Sequence, residues 1–93
     1  MATSNSTLLQ PETGIEETTQ QVHRLILHND NHNSFEWVIE TLVDVCKHTV
    51  EQAEQCSYII HSKGKYTVKT APFNTLKLMK DAITERGISA TIE

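Results

Sequence analysis

The apolar residues of this chain are concentrated in its last 72 positions. Residues 1–21 contain five apolar residues, three glutamates and no Lys or Arg, whereas 30 of the residues from 22 to 93 are apolar. A segment as polar as the first one cannot bury enough surface to offset the entropy lost on ordering. We therefore predict a flexible N-terminal extension over residues 1–21 and one folded domain, with a single modest core, over residues 22–93.

Charge and hydropathy exclude several classes of partner. Residues 22–93 contain nine acidic and eight basic residues without a block of like charge, which is not typical of a nucleic-acid-binding surface. No apolar run approaches the roughly 18 residues that a membrane span needs, and the chain does not begin like a signal peptide. We therefore expect a cytoplasmic protein without nucleic-acid or membrane partners. Cys46 and Cys56 lack the spacing of a metal or redox motif and are expected to be free, buried thiols.

The folded part begins with a strand and two helices. Residues 22–27 form a β-favouring run that ends in seven consecutive polar residues, which indicates a strand entering a loop. Apolar residues then recur at three and four positions from Phe35, as on one face of a helix, and Asn33 is placed to cap it. Thr49, with Gln52 three positions later, predicts a capping box for a second helix, and Gly64 is placed to end that helix in a left-handed conformation.

The second half of the domain repeats the alternation of strands and helices. Residues 65–70 alternate like a half-buried strand, residues from about 76 to 83 have helical periodicity, and residues 88–92 alternate again. The predicted order is therefore β-α-α-β-α-β. This order predicts an α+β fold, a small α/β sandwich in which a three-stranded sheet packs against three helices.

The polar loop from His28 to Ser34 is longer than a turn requires, and three interpretations remain open. Its Asn and Asp side chains could make only local turns and caps, as such residues most often do. His28, Asp30 and His32 could offer ligands to a metal ion, although no fourth ligand is indicated. An Asp carboxylate, an Asn carbonyl oxygen and a neutral His nitrogen could also accept the three hydrogen bonds of an ammonium group.

The sequence offers only poor candidates for catalytic residues. The two cysteines are expected to point inward, the three glycines are isolated rather than grouped in a phosphate-binding loop, and the number of histidines alone decides nothing. We therefore expect a protein that is not an enzyme and that has no metal or cofactor.

Three sequence segments resemble one known family. They are residues 27–31 (Leu-His-Asn-Asp-Asn), residues 36–39 (Glu-Trp-Val-Ile) and residues 60–65 (Ile-His-Ser-Lys-Gly-Lys), and the last four residues are similar to the family's final strand. Together they resemble the Clp protease adaptor family ClpS over residues 22–92. The resemblance implies an adaptor that binds proteins with a bulky hydrophobic N-terminal residue and delivers them to a Clp-family AAA+ unfoldase for proteolysis.

The resemblance also implies the residues of the binding site. Asn29, Asp30 and His61 match the residues with which the family binds the N-terminal amine. The expected pocket for the first side chain is lined by Asn33, Phe35, Val38, Ser57, Ile60 and Ile88. For Val38, Ile60 and Ile88, simple core packing is an equally good interpretation. The implied ligands are N-degron peptides that begin with Leu, Phe, Tyr or Trp.

Three positions depart from the family pattern. Asn31 stands where a second Asp is common, which removes a negative charge beside the amine. Phe35 stands where a flexible Met is usual, and Ser57 replaces a larger apolar residue on the facing helix. We therefore expect the ranking of the preferred N-terminal residues to be altered.

The resemblance gives fewer details about the unfoldase. Lys77 matches a lysine that the family uses in that contact, but the acidic residue that usually accompanies it falls near Pro72. The N-terminal extension is expected to act in delivery, and the protein is expected to be a monomer. The alternative is a small interaction module that binds an unfoldase or another partner without recognising N-termini.

Overall fold

The computed structural model describes residues 21–93, so the predicted flexible extension lies outside the described residues except for Gln21. The elements in chain order are β1 (Val22–His28), α1 (Phe35–Cys46), α2 (Val50–Lys63), β2 (Lys65–Pro72), α3 (Phe73–Glu85) and β3 (Ala90–Ile92). The predicted β-α-α-β-α-β order and the three-stranded sheet with three helices are therefore confirmed.

The first strand lies at the centre of the sheet. The strand order is β2-β1-β3, and both neighbours are antiparallel to β1. Leu25 pairs with Lys69 and Ile26 with Thr67, so Val68 is an extra residue on β2 and forms a β-bulge. Leu25 and Leu27 belong to the core cluster, and Ile26 between them is also buried.

The core lies between the sheet and the helices. The third helix packs on all three strands, α2 packs on β2, and α1 packs on α2 and α3. Each element contributes at least one almost fully buried apolar residue; the largest side chains without exposed surface include Leu25, Leu27, Leu42, Leu76 and Ile83. Cys46 is buried as predicted, whereas Cys56 is only half-buried, and both are free thiols. Burial raises the pKa of the Cys46 thiol to about 11.

The cap of α1 differs from the prediction. Ser34, and not Asn33, is the N-cap, because the Ser34 hydroxyl accepts a hydrogen bond of 3.1 Å from the Trp37 backbone N–H. The Asn33 amide instead donates to the Asp30 carboxylate and to the backbone carbonyl of Gly87. Both residues are good caps, and the hydrogen bonds of Asn33 to nearby Asp30 and to the distant Gly87 carbonyl leave Ser34 as the cap.

Both ends of α2 agree with the sequence. The Gln52 backbone N–H donates to the Thr49 hydroxyl at 3.1 Å, and the Thr49 N–H donates to the Gln52 side chain at 3.0 Å, which completes the capping box. At the other end Gly64 has a φ of 93°, and its N–H donates to the Ile60 carbonyl. This conformation is strained for any residue with a side chain, which explains the glycine.

The Thr49 cap should have a measurable effect on stability. We expect Thr49→Ala to lower the free energy of unfolding by about 1 kcal/mol, because the Gln52 N–H loses its partner. The matched control is Thr75→Ala, an exposed threonine near the start of α3 whose side chain makes no hydrogen bond within residues 21–93; its effect should stay below about 0.5 kcal/mol. Urea titrations of both variants measure the difference, and equal losses would contradict the capping role.

Candidate functional site

Three chain junctions meet at one side of the fold. They are the loop of residues 29–34 after β1, the C-terminal end of α2, and the turn after α3. The Asn29 backbone N–H donates to the Gly64 carbonyl at 2.8 Å, which ties the start of the loop to the end of α2. The Asn33 side-chain amide donates to the Gly87 carbonyl at 3.0 Å, which ties the end of the loop to the turn after α3. The loop is therefore fixed at both of its ends.

The loop and the two helices that face it form a cleft of about 300 Å³. It is lined by Asn29, Asp30, Asn31, Asn33, Ser34, Phe35, Val38, Ser57, Ile60 and His61. A smaller cavity of about 20 Å³ shares five of these residues and adds Ile88. The structure thus brings together all of the residues predicted for the amine site and the side-chain pocket: eight line the cleft, and Ile88 lines the adjoining cavity.

Asp30 is held in a defined position by its own loop. Its Oδ1 accepts hydrogen bonds from the backbone N–H groups of His32 and Asn33 at 2.8 and 3.0 Å and from the Asn33 side chain, while its Oδ2 accepts from the Asn33 amide at 2.9 Å. Burial raises the pKa of the Asp30 carboxyl, but these hydrogen bonds outweigh it and leave the pKa below the ordinary value of 3.8. The carboxylate is therefore charged near neutral pH.

Asp30 retains acceptor capacity despite these bonds. An ionised carboxylate offers about four lone-pair sites, and three of the four hydrogen bonds converge on Oδ1. Oδ2 can therefore accept a further donor. The local hydrogen bonds of the first interpretation are therefore present, and they are compatible with a ligand contact because Oδ2 accepts only one of them.

Two further acceptors line the cleft beside Asp30. The side chains of Asn29 and His61 make no hydrogen bond with any group in residues 21–93, and both residues are exposed. The Phe35 ring lies edge-on to the His61 ring, with centroids 6.5 Å apart and an interplanar angle of 87°. The aromatic contact restricts the His61 ring without using its nitrogen atoms, so a ligand can reach those atoms.

The inner part of the cleft is mostly apolar. Ile60 and Ile88 are almost fully buried, Val38 is half-buried and packs against the core, and Phe35 is 40% exposed at the rim. Ser57 is the exception, because it is only 2% exposed and its hydroxyl has no hydrogen-bond partner in the part of the chain that is described. The cleft therefore joins a polar mouth with three acceptors to an apolar interior.

The metal interpretation of the loop finds no support in the geometry. The His28 ring nitrogen Nε2 shares a hydrogen bond of 2.8 Å with the Thr91 hydroxyl, so it is already engaged on β3. Within residues 21–93, no group of three or more His, Cys, Asp or Glu side chains is arranged to hold a metal ion. The structure does not bring His28, Asp30 and His32 together as a ligand set.

Sequence reasoning missed two contributors to the cleft. Ser34 lines it but is not among the residues predicted for the site, and Gly87 provides the carbonyl that holds Asn33. The signal for Gly87 was its place directly after an amphipathic helix, where a positive φ is common; its φ is 87°. Lys77 does not line the cleft; it is exposed on α3, where it forms an ion pair with Asp81 at 2.8 Å.

No helix within residues 21–93 combines the length and the apolar character that crossing a membrane would require.

Comparisons with known proteins agree with this fold. The family model described as ATP-dependent Clp protease adaptor protein ClpS matches residues 18–91. The chain is 30% identical over 91 residues to the adapter protein CLPS1, chloroplastic, of Chlamydomonas reinhardtii. The aligned region covers 95% of this chain and 56% of that protein. It is 28% identical over 88 residues to the adapter protein ClpS of Synechococcus elongatus. That aligned region covers 94% of this chain and 93% of the relative.

A solved structure shares the fold. The ClpS2 protein of Agrobacterium tumefaciens, solved with bound L-phenylalaninamide, superposes with a TM-score of 0.73 at 19% identity and covers 80% of this chain and 96% of that chain. The chain spans only 56% of the Chlamydomonas relative and 66% of the relative from Acetivibrio thermocellus. The family match covers most of the chain, and we conclude that the chain belongs to the ClpS family of Clp protease adaptor proteins.

Proposed function

We propose that this protein is an adaptor that binds substrates through a free N-terminal amine and a bulky hydrophobic first residue, and that it delivers them to a Clp-family AAA+ unfoldase for proteolysis. The main observation in support is the cleft, where the charged Asp30 and two acceptors without partners in residues 21–93 lie beside an apolar interior.

The acceptor set suits an N-terminal ammonium group. Such a group has three N–H donors and one positive charge, and Asn29, Asp30 and His61 offer an amide oxygen, a carboxylate and a ring nitrogen around one cleft. The hydrogen bond to Asp30 is assisted by charge, so it is stronger than a neutral one. An internal or acetylated residue has no such charge and would leave these acceptors poorly paired.

The apolar interior suits the first side chain. Large side chains such as those of Leu, Phe, Tyr and Trp gain from burial in such a site, at about 25 cal/mol per Å² of apolar area. The Agrobacterium relative was solved with an amino acid amide that has a free amine and an aromatic side chain, and a ligand of that kind matches both parts of the cleft described here. We assign Asn29, Asp30 and His61 to the amine, and Asn33, Phe35, Val38, Ser57, Ile60 and Ile88 to the side chain.

The delivery partner rests on the family alone. Lys77 lies on an exposed face of α3, outside the cleft, so an unfoldase bound there would leave the peptide site open. We propose that this face and the N-terminal extension act in delivery. The cytoplasmic location and the monomeric state stay predictions; one of the relatives is named as chloroplastic.

A matched pair of peptides tests the proposed function. We expect a fluorescent peptide with a free N-terminal Phe to bind with a Kd in the micromolar range. The same peptide with an acetylated N-terminus should bind at least about 30-fold more weakly, because acetylation removes the positive charge and the N–H donors that pair with the Asp30 carboxylate. Fluorescence anisotropy measures both affinities, with a peptide that begins with Gly as the control for the side-chain pocket. Equal binding of the free and acetylated peptides would contradict amine recognition and favour the alternative interaction module.

A further inference from the structure

A second groove lies where α3 meets β3 at one edge of the sheet. It has a volume of about 380 Å³ and is lined by Phe73, Lys77, Lys80, Thr91 and Ile92; we call it the Phe73 groove. The Phe73 side chain is 47% exposed, and Lys77 and Thr91 are exposed as well. The groove shares no residue with the cleft of the candidate site. It is therefore a separate accessible surface, apolar at Phe73 and Ile92 and basic at the two lysines.

The positive charge of the groove is only partly balanced. Two lysines line it, and no acidic side chain does. Asp81, on the same helix, pairs with Lys77 at 2.8 Å, and Glu93, which follows the groove in the chain, pairs with Arg24. Lys80 forms no ion pair within residues 21–93. The groove therefore favours an occupant that carries negative charge beside an apolar side chain.

The N-terminal extension leaves the fold beside this groove. Gln21, the first residue that the structure describes, lines a neighbouring depression of about 240 Å³ together with His23 and Phe73. The His23 ring lies edge-on to the Phe73 ring, with centroids 5.7 Å apart. Phe73 therefore belongs to both surfaces, and the residues that precede Gln21 join the fold next to the groove.

The extension has the composition and the reach that the groove requires. Residues 12–17 are Glu-Thr-Gly-Ile-Glu-Glu, and residues 1–21 contain no Lys or Arg. An extended chain spans at most about 3.5 Å per residue, so the six steps from Ile15 to Gln21 reach about 20 Å. The seven steps of helix from Phe73 to Lys80 rise only about 10 Å. The acidic segment can therefore reach the whole length of the groove.

We propose that residues 12–17 of the extension dock reversibly in the Phe73 groove. Ile15 packs on its apolar side chains, and Glu16 and Glu17 pair with its lysines. The tether supplies an effective concentration in the millimolar range, which populates a contact made of one apolar side chain and exposed ion pairs. The docked segment covers Lys77, so an unfoldase that uses this face must displace it and thereby frees the extension for delivery. That consequence rests on the proposed function, whereas the docking itself does not.

The acetylation rates of individual lysines test this docking in the full chain. Acetic anhydride reacts with accessible amines that are not held in ion pairs, and mass spectrometry gives the rate at each lysine. We expect Lys77 and Lys80 to react about twofold faster in the double variant Glu16→Gln/Glu17→Gln than in the full chain, as for a contact populated about half of the time. Lys65 is exposed and lies outside the groove, so it should react at the same rate in both proteins.

Two further variants and a dilution series complete the test. Glu40→Gln/Glu54→Gln makes the same change of charge on exposed residues of α1 and α2 outside the groove and should react like the full chain. Ile15→Ser should also speed the reaction of the groove lysines, because it removes the apolar contact and keeps the charges. Equal rates in the full chain and in Glu16→Gln/Glu17→Gln would overturn the docking and leave the groove to an external partner.

Protection that increases with protein concentration would assign the groove to a second copy of the chain and would also overturn the proposal. The docked extension predicts protection that does not change on dilution. None of these results alters the comparison of the free and acetylated peptides, so a failure of the docking and a failure of the proposed function are distinguishable.

Discussion

We expect replacement of Asp30 by Asn to weaken the binding of a peptide with a free N-terminal Phe by about 30-fold, or about 2 kcal/mol. The variant keeps the size of the side chain and an oxygen that accepts from the backbone N–H groups of His32 and Asn33, but it lacks the negative charge that we propose pairs with the ammonium. Loss of a hydrogen-bonded charge pair costs about 2 to 5 kcal/mol, and the partial exposure of this site places the effect at the low end.

The matched control for Asp30 is Asp81→Asn. It removes the same charge from an exposed residue on α3 that pairs with Lys77 and does not line the cleft. We expect the peptide affinity of this variant to stay within about twofold of the original, because surface ion pairs contribute little. Anisotropy titrations of both variants at one salt concentration give the comparison. Similar affinities for the two variants would show that Asp30 does not accept the amine.

Replacement of Leu25 by Ala should lower the free energy of unfolding by about 2 to 5 kcal/mol. Leu25 has no exposed surface and lies in the central strand, paired with Lys69 on one side and Ile92 on the other. The loss combines the transfer energy of the removed atoms with the cavity they leave. A domain of this size is only marginally stable, so the variant should be partly unfolded at 37 °C.

Val22→Ala is the control from the same strand. Val22 is 64% exposed, and a truncation there should change the free energy of unfolding by less than about 0.5 kcal/mol. Urea unfolding followed by circular dichroism measures both variants, and the slope of the transition should not change if only stability is altered. A small effect of Leu25→Ala would mean that the packing around β1 is looser than the structure indicates.

The order of the elements could be predicted because each has a clear local signal. The change of apolar period at Phe35, the Thr49 capping box and the left-handed Gly64 depend on residues close together in sequence. The cap of α1 could not be assigned in this way. Asn33 and Ser34 are equally good local candidates, and the choice depends on the Gly87 carbonyl, 54 residues away in the chain.

The candidate site was predictable in its membership but not in its geometry. The residues around the cleft follow from the resemblance to a family, and the ammonium chemistry of Asn29, Asp30 and His61 follows from their side chains. Which Asp30 oxygen is left to accept a ligand depends on the conformation of its own loop, and the burial of the Ser57 hydroxyl depends on the packing around α2. The first of these features decides which atom we expect a ligand amine to contact.

The Val68 bulge has a consequence for how another polypeptide can approach the sheet. The outer edge of β2 has a bulge and the charged Lys65 and Lys69, and β3 at the opposite edge is three residues long. Bulges, lysines and short edge strands all oppose the addition of a further strand. Neither edge is therefore suited to β-augmentation, in which an extended peptide is held along its backbone. A polypeptide that docks on residues 21–93 is therefore expected to be held through its side chains or its chain end, and not along its backbone at a sheet edge.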